Sequence, residues 1–209
     1  MTTDPALAHP LRGLYGITPE WDDTARLIAA VEAAARGGLR AVQLRRKLAE
    51  PAKRLEQARA LRAACDRLDL LLIINDDWRL AIEAGADGVH LGRGDGDIAQ
   101  ARQAGGPALL IGASCYAEPG LARAALAAGA DHVAFGAVFD SPTKPAAVHA
   151  PLSCLTEARG LRRPGTVPPA ERGDATPRDC KASGGSGWPY GVARRAAGQA
   201  VFQAFQHHV

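Results

Sequence analysis

The sequence predicts a parallel α/β fold of the (β/α)8 TIM-barrel type. Three observations predict it. Short apolar runs alternate with Ala-rich segments of helical spacing, at about 25–30 residues per unit, as right-handed βαβ units require. Two of these runs, Leu70–Ile74 and Gly88–Gly92, stop at acidic clusters one strand–helix–strand unit apart: Asn75-Asp76-Asp77, then Asp95 and Asp97. Finally, Ala84–Gly92 (AGADGVHLG) and Ala128–Gly136 (AGADHVAFG) repeat the pattern A-G-A-D-x-V-x-x-G. Each copy reads as a glycine ending a helix, an acidic turn, and a strand entering the core. A doubly wound sheet is the alternative, but no G-x-G-x-x-G follows the first strand.

The elements follow in order. Residues 1–12 form an arm, and Leu14–Thr18 is a short strand closed by Pro19. Asp22 or Asp23 caps a helix whose Leu27, Ile28 and Val31 share a face, and Gly37-Gly38 ends it. The second strand is Ala41–Arg45, and Pro51 opens a second helix reaching about Asp66. The third and fourth strands are Leu70–Asn75 and Gly88–Gly92, with a short helix between them closed by Gly85. Leu109–Ser114 is the fifth strand, Pro119–Ala128 a helix, and His132–Val138 the sixth strand.

Composition narrows the function. A chain of 209 residues that is 47% hydrophobic but only 5% aromatic suits Ala-rich helices packed closely on a parallel sheet. A net charge of +3, without a Lys/Arg block, argues against a nucleic-acid partner. No apolar run approaches membrane-spanning length, and no signal peptide is visible. Cys65, Cys115, Cys154 and Cys180 are far apart, with no CxxC, and read as reduced thiols of a cytoplasmic protein.

The chemistry gathers at the strand ends. Residues two apart in a strand share a face, so Gln43, Arg45 and Lys47 point one way and Leu44 and Arg46 the other. An amide and two cations aimed at a barrel mouth make an anion grip; a solvated charged turn is the competing reading. Asp77 suits a helix N-cap. Asp76 and Asp95 read as a divalent-metal pair, since Mg2+ needs few protein carboxylates and keeps water and phosphate oxygens. Asp95 also fits an ordinary acidic turn, and His90 reads as a packed core histidine. Ser114 ends the fifth strand, and Ser141-Pro142-Thr143-Lys144 follows the sixth as a phosphate cradle or a surface loop.

QLRRK, INDDWRLA, GADGVHLGRGD, GAS and FGAVFDSPTKP, in this order, resemble the thiamine-phosphate synthase family over about Leu14–Leu161. The resemblance implies a transferase joining hydroxymethylpyrimidine diphosphate to a thiazole phosphate, with release of diphosphate and with Mg2+ as cofactor. It implies that Gln43, Leu44, Arg45, Arg46, Lys47, Asn75, Ser114 and Lys144 hold the pyrimidine diphosphate. Ser141, Pro142 and Thr143 would hold the thiazole phosphate, and Asp76 and Asp95 the Mg2+. Arg45, Lys47 and Lys144 would carry the charge stabilisation. Arg93 stands where the family usually has Gln. The partners implied are small molecules, with no nucleic acid and no membrane; homo-oligomerisation stays open.

Residues 162–209 depart from this pattern. They are rich in Pro, Gly, Arg and Ser and lack the family's phosphate loop and later strands. The expectation is a barrel domain over 1–161 holding strands one to six, then an atypical tail, disordered or frame-shifted, that lacks the last two strands. A weak helix is expected within Val192–Val209, through Val201, Phe202 and Phe205. An open barrel would expose strand edges and reduce activity. The competing functions are an inactive or regulatory remnant, or a thiazole tautomerase-like protein.

Overall fold

The structure is a computed structural model that describes Leu11, residues 13–138, 149–158, Leu161 and the backbone of 200–202. Strands and helices alternate: β1 (Leu14–Ile17), α1 (Thr24–Arg36), β2 (Leu39–Leu44), α2 (Pro51–Leu68), β3 (Leu71–Asn75), α3 (Trp78–Glu83), β4 (Gly88–Leu91), α4 (Ile98–Gly105), β5 (Leu110–Tyr116), α5 (Pro119–Ala127), β6 (His132–Phe135), α6 (Leu152–Ala158) and β7 (Ala200–Phe202). All pairings are parallel, and the strand order in the sheet is the order in the sequence. The sheet curls as half a barrel. No helix among the described residues is long and apolar enough to cross a membrane.

Local chemistry accounts for the helix ends. The Asp23 carboxylate accepts the Arg26 N–H at 3.0 Å and starts α1. Pro51 occupies the first turn of α2, where its missing N–H is not needed. Asp97 caps α4 by accepting from Ala99 N–H at 2.7 Å. Periodicity does not reveal α4, because Ala101 is its one buried residue and no apolar stripe forms.

The strands sort their side chains to two faces. Val42, Leu44, Leu72, Ile74, Val89, Leu91 and Ile111 pack outward with Leu27, Val31, Leu61 and Leu80 of the helices. Tyr15, Ile17, Ala41 and Ile73 form a separate inner cluster. Each buried Leu or Ile contributes roughly 1.5–3 kcal/mol, so the outer layer dominates stability and the inner face is left to carry polar groups.

The repeated A-G-A-D phrase folds into the same clasp twice, at the N-terminal ends of the strands. Asp87 accepts the Leu72 N–H at 2.7 Å, donates its own N–H to Leu72 O at 2.9 Å, and pairs with Arg62 of α2. Asp131 accepts the Ile111 N–H at 2.8 Å, donates to Ile111 O at 2.7 Å, and pairs with Arg102 of α4. This face stabilises the fold, while the opposite ends of the strands are free for chemistry.

Two expectations for the tail change. Ala200, Val201 and Phe202 are not helical but pair in parallel with Val133, Ala134 and Phe135 of β6. Val and Phe favour extended backbone, and the outer edge of β6 offers unpaired peptide groups that such a segment satisfies. A seventh strand is therefore present where none was expected. Closure into eight strands is not: among the described residues, β1 and β7 are the two ends of the sheet. The rest of the tail lies outside the described residues.

Candidate active site

The β3 exit holds three adjacent polar residues with different tasks. Asp77 caps α3 by accepting the Leu80 N–H at 3.0 Å and pairs with Arg54 at 2.6 Å. Asp76 has a φ of +67°, the left-handed region that aspartate tolerates better than most residues. Its N–H donates to His90 O at 2.8 Å, which ties the turn to β4. The Asp76 carboxylate meets the Lys47 ammonium at 2.7 Å. Asn75 ends β3 opposite His90 in the register.

Asp95 reaches the same point from the loop after β4. Its Oδ2 accepts the Gly92 N–H at 2.9 Å, and a Cβ on Gly92 would overlap that oxygen. Burial, and then a hydrogen bond to the adjacent Asp76 carboxylate, push the Asp95 carboxyl above its usual range; the Gly92 N–H and Lys47 pull it back. Two acids this close resist joint ionisation unless a cation or proton lies between them. The donor set is hard oxygen, and no group of three or more His, Cys, Asp or Glu is placed to hold a metal ion among the described residues. Such a pair fits Mg2+, which fills its remaining positions with water and phosphate oxygens. It does not fit a structural zinc site, which needs more protein ligands.

The β2 exit presents the expected cations. Gln43 is buried on the inner face, and its Nε2 has no partner among the described residues. Arg45 lies 3.5 Å from Glu20, and Lys47 is with Asp76. Leu44 belongs to the outer core, and the Arg46 side chain, only 3% exposed, is held by Glu20 and Asp22. Leu44 and Arg46 are thus left with main-chain groups for any ligand.

Beneath these groups, His90 Nε2 lies 2.9 Å from Ser114 Oγ on β5. The His90 ring faces His132 at 5.6 Å between centroids. Gly112 lies between them in the register, and a Cβ there would collide with both rings. Burial lowers the His90 pKa to about 4, partly offset by Asp76, so the ring is neutral at physiological pH. His90 is a core histidine, as its place in a strand suggested, but one that supports two site residues: Asp76 through its carbonyl and Ser114 through its ring.

Lys47, Asp76 and Asp95 thus converge, with Asn75, Gln43 and Ser114 on the same face of the sheet. Ser141, Pro142, Thr143 and Lys144 lie outside the described residues. Sequence reasoning missed Glu20 and Gly92. Glu20 carries no local pattern, whereas the two glycines flanking Arg93 hinted at a close approach. Arg93 pairs with Glu118 and lies over the Tyr116 ring at 5.1 Å.

The family model for thiamine monophosphate synthase matches residues 14–180. The thiamine-phosphate synthase of Bordetella pertussis is 63% identical over 147 residues, covering 70% of this chain and 68% of that protein. That of Chromobacterium violaceum is 55% identical over 151 residues, 72% of this chain and 73% of that protein. A solved thiamine phosphate pyrophosphorylase from Pyrococcus furiosus superposes with a TM-score of 0.60 at 33% identity, covering 72% of this chain and 71% of the other.

Proposed function

The chain belongs to the thiamine monophosphate synthase family, and from that premise we propose the residues and chemistry by which it acts as a transferase of thiamine biosynthesis. The reaction joins hydroxymethylpyrimidine diphosphate to a thiazole phosphate. The thiazole nitrogen forms a bond to the pyrimidine methylene, and the methylene C–O bond breaks with its electron pair leaving on diphosphate. No protein nucleophile is required. The aminopyrimidine stabilises positive charge on its own methylene, which favours a dissociative path. The protein's task is to orient two substrates and neutralise the departing diphosphate.

The observation that carries this reading is the convergence of Lys47, Asp76 and Asp95 at the ends of three strands. Asp76 and Asp95 would hold Mg2+, which supplies positive charge to the diphosphate oxygens when bound. Arg45 and Lys47 supply further positive charge, Lys144 joins them, and Ser141 to Thr143 take the thiazole phosphate. Gln43, Asn75 and Ser114 orient the pyrimidine diphosphate. We read the curled sheet as part of a (β/α)8 barrel with this mouth at its C-terminal strand ends. Among the described residues, Cys65, Cys115 and Cys154 are free buried thiols, which suits a cytoplasmic setting.

The test is product formation by the purified full chain with both substrates and Mg2+. Thiamine phosphate is expected from the wild type. Asp76→Asn and Asp95→Asn should each lower the rate at least a hundredfold and abolish the Mg2+-dependent rise in Tm. A folded wild-type chain that forms no product overturns the reading.

A further inference from the structure

We propose that Glu20 is a positioning residue for the diphosphate grip, an inference that rests on reading the barrel mouth as a diphosphate site. Glu20 lies in the loop between β1 and α1, outside the set of residues that face the proposed substrates. Its single carboxylate nonetheless touches three consecutive residues of the β2 exit. Oε1 accepts the main-chain N–H of Lys47 at 2.8 Å and lies 3.5 Å from Arg45 Nη1. Oε2 accepts from Arg46 Nη1 at 3.3 Å.

The neighbouring bonds show what this contact adds. Thr18 N–H donates to Gln43 O at 2.9 Å, and Thr18 Oγ1 accepts the Arg45 N–H at 3.0 Å. The chain after β1 therefore ties down residues 43, 45 and 47 in turn, and those are the residues that face the mouth. Thr18 secures the first two; Glu20 secures the third, beyond the end of β2, where no ladder bond reaches. Arg46 makes the attachment firm. Its buried guanidinium is clamped between Glu20 and Asp22, so the loop and the strand exit move as one piece.

The strengths of the contacts sort the roles. The Lys47 main-chain bond is short and charge-assisted, so it persists when ligand arrives. The Arg45 contact is long and partly exposed, so a phosphate oxygen displaces it at little cost. Glu20 thus holds the backbone of the grip in place while leaving the Arg45 fork available. It touches no reacting atom.

The experiment measures binding of inorganic diphosphate in the presence of Mg2+ by calorimetry, and steady-state kinetics, on the full chain. Glu20→Ala is expected to weaken diphosphate binding about tenfold, which is about 1.4 kcal/mol. The KM for the pyrimidine diphosphate should rise similarly, with the KM for the thiazole phosphate changing less than twofold. Glu20→Gln keeps an acceptor for the Lys47 N–H and should recover binding to within about threefold of wild type. A merely structural role would lower the active fraction, scaling kcat while leaving Kd and both KM values alone; that outcome overturns the inference. So does a Glu20→Gln variant no better than Glu20→Ala. If the wild type binds diphosphate without forming product and Glu20→Ala still weakens binding, the inference stands and the proposed activity falls. If the wild type forms product yet binds no diphosphate, the inference falls and the proposed activity stands.

Discussion

Acidification should unfold this chain in part by forcing a proton onto His90. The ring is buried, lies against Ser114 and His132, and titrates at about 4 in the folded state, against 6.5 for an ordinary histidine. A depressed folded pKa gives stability that is fully present above the unfolded value and is lost as pH falls through the folded one. The window is therefore pH 6.5 to 4. Between pH 7 and pH 4 the loss is about 2.303RT times the gap between those pKa values, or about 3 kcal/mol. The assay is urea denaturation at half-unit steps of pH for the wild type and for His90→Gln. The substitution has its own packing cost, but that cost does not vary with pH. The other ionisable groups are common to both proteins and largely cancel in the difference. The wild type should lose about 3 kcal/mol more than the variant across the window. A difference that stays flat within about 0.5 kcal/mol would refute the claim that His90 is buried and neutral.

Other outcomes follow from the same geometry. Gly92→Ala should displace the Asp95 carboxylate, because the new methyl occupies the place of its Oδ2; Mg2+ affinity measured by calorimetry should fall at least tenfold with little change in the urea midpoint. Asp95→Asn should raise the Tm of the metal-free chain at pH 7.5 by a few degrees. The sign follows from the raised carboxyl pKa: that contribution is present below the unfolded value of about 3.9 and lost as pH rises through the folded one. A lowered Tm would contradict it. Asp87→Ala removes the acceptor of the Leu72 N–H and leaves Arg62 with Asp66 alone, so it should cost about 1–3 kcal/mol in urea denaturation while leaving the KM for both substrates unchanged.

Much of the site was legible because its parts follow rules that act over short stretches. Asp77 was expected as a cap, and it caps α3. Alternation along β2 put Gln43 on the inner face and Leu44 in the outer core, where the structure has them. Asp76 and Asp95 meet because successive parallel strands deliver their ends to one side. What escaped notice acts across the sheet or lacks a local signature. Glu20 bonds residues more than two dozen positions away, and nothing in TPEWDD announces that. The family resemblance groups Arg46 with the ligand grip, while alternation points it away from the mouth, and its side chain there pairs with Glu20 and Asp22. The β7 segment is only three residues long, too short for its Val and Phe to announce a strand without the β6 edge beside it.

The two aspartate clasps bear on how the chain assembles. Leu72 waits for Asp87, 15 residues later, and Ile111 for Asp131, 20 residues later. Each of these two strands is locked by the turn that leads into the next strand. Together with a strand order that repeats the sequence order, this lets the protein grow from its N-terminus as it leaves the ribosome, each new unit latching the last. Nascent chains long enough for Asp87 to have left the ribosome should shield β3 from proteases, whereas chains that expose β3 with Asp87 still enclosed should not.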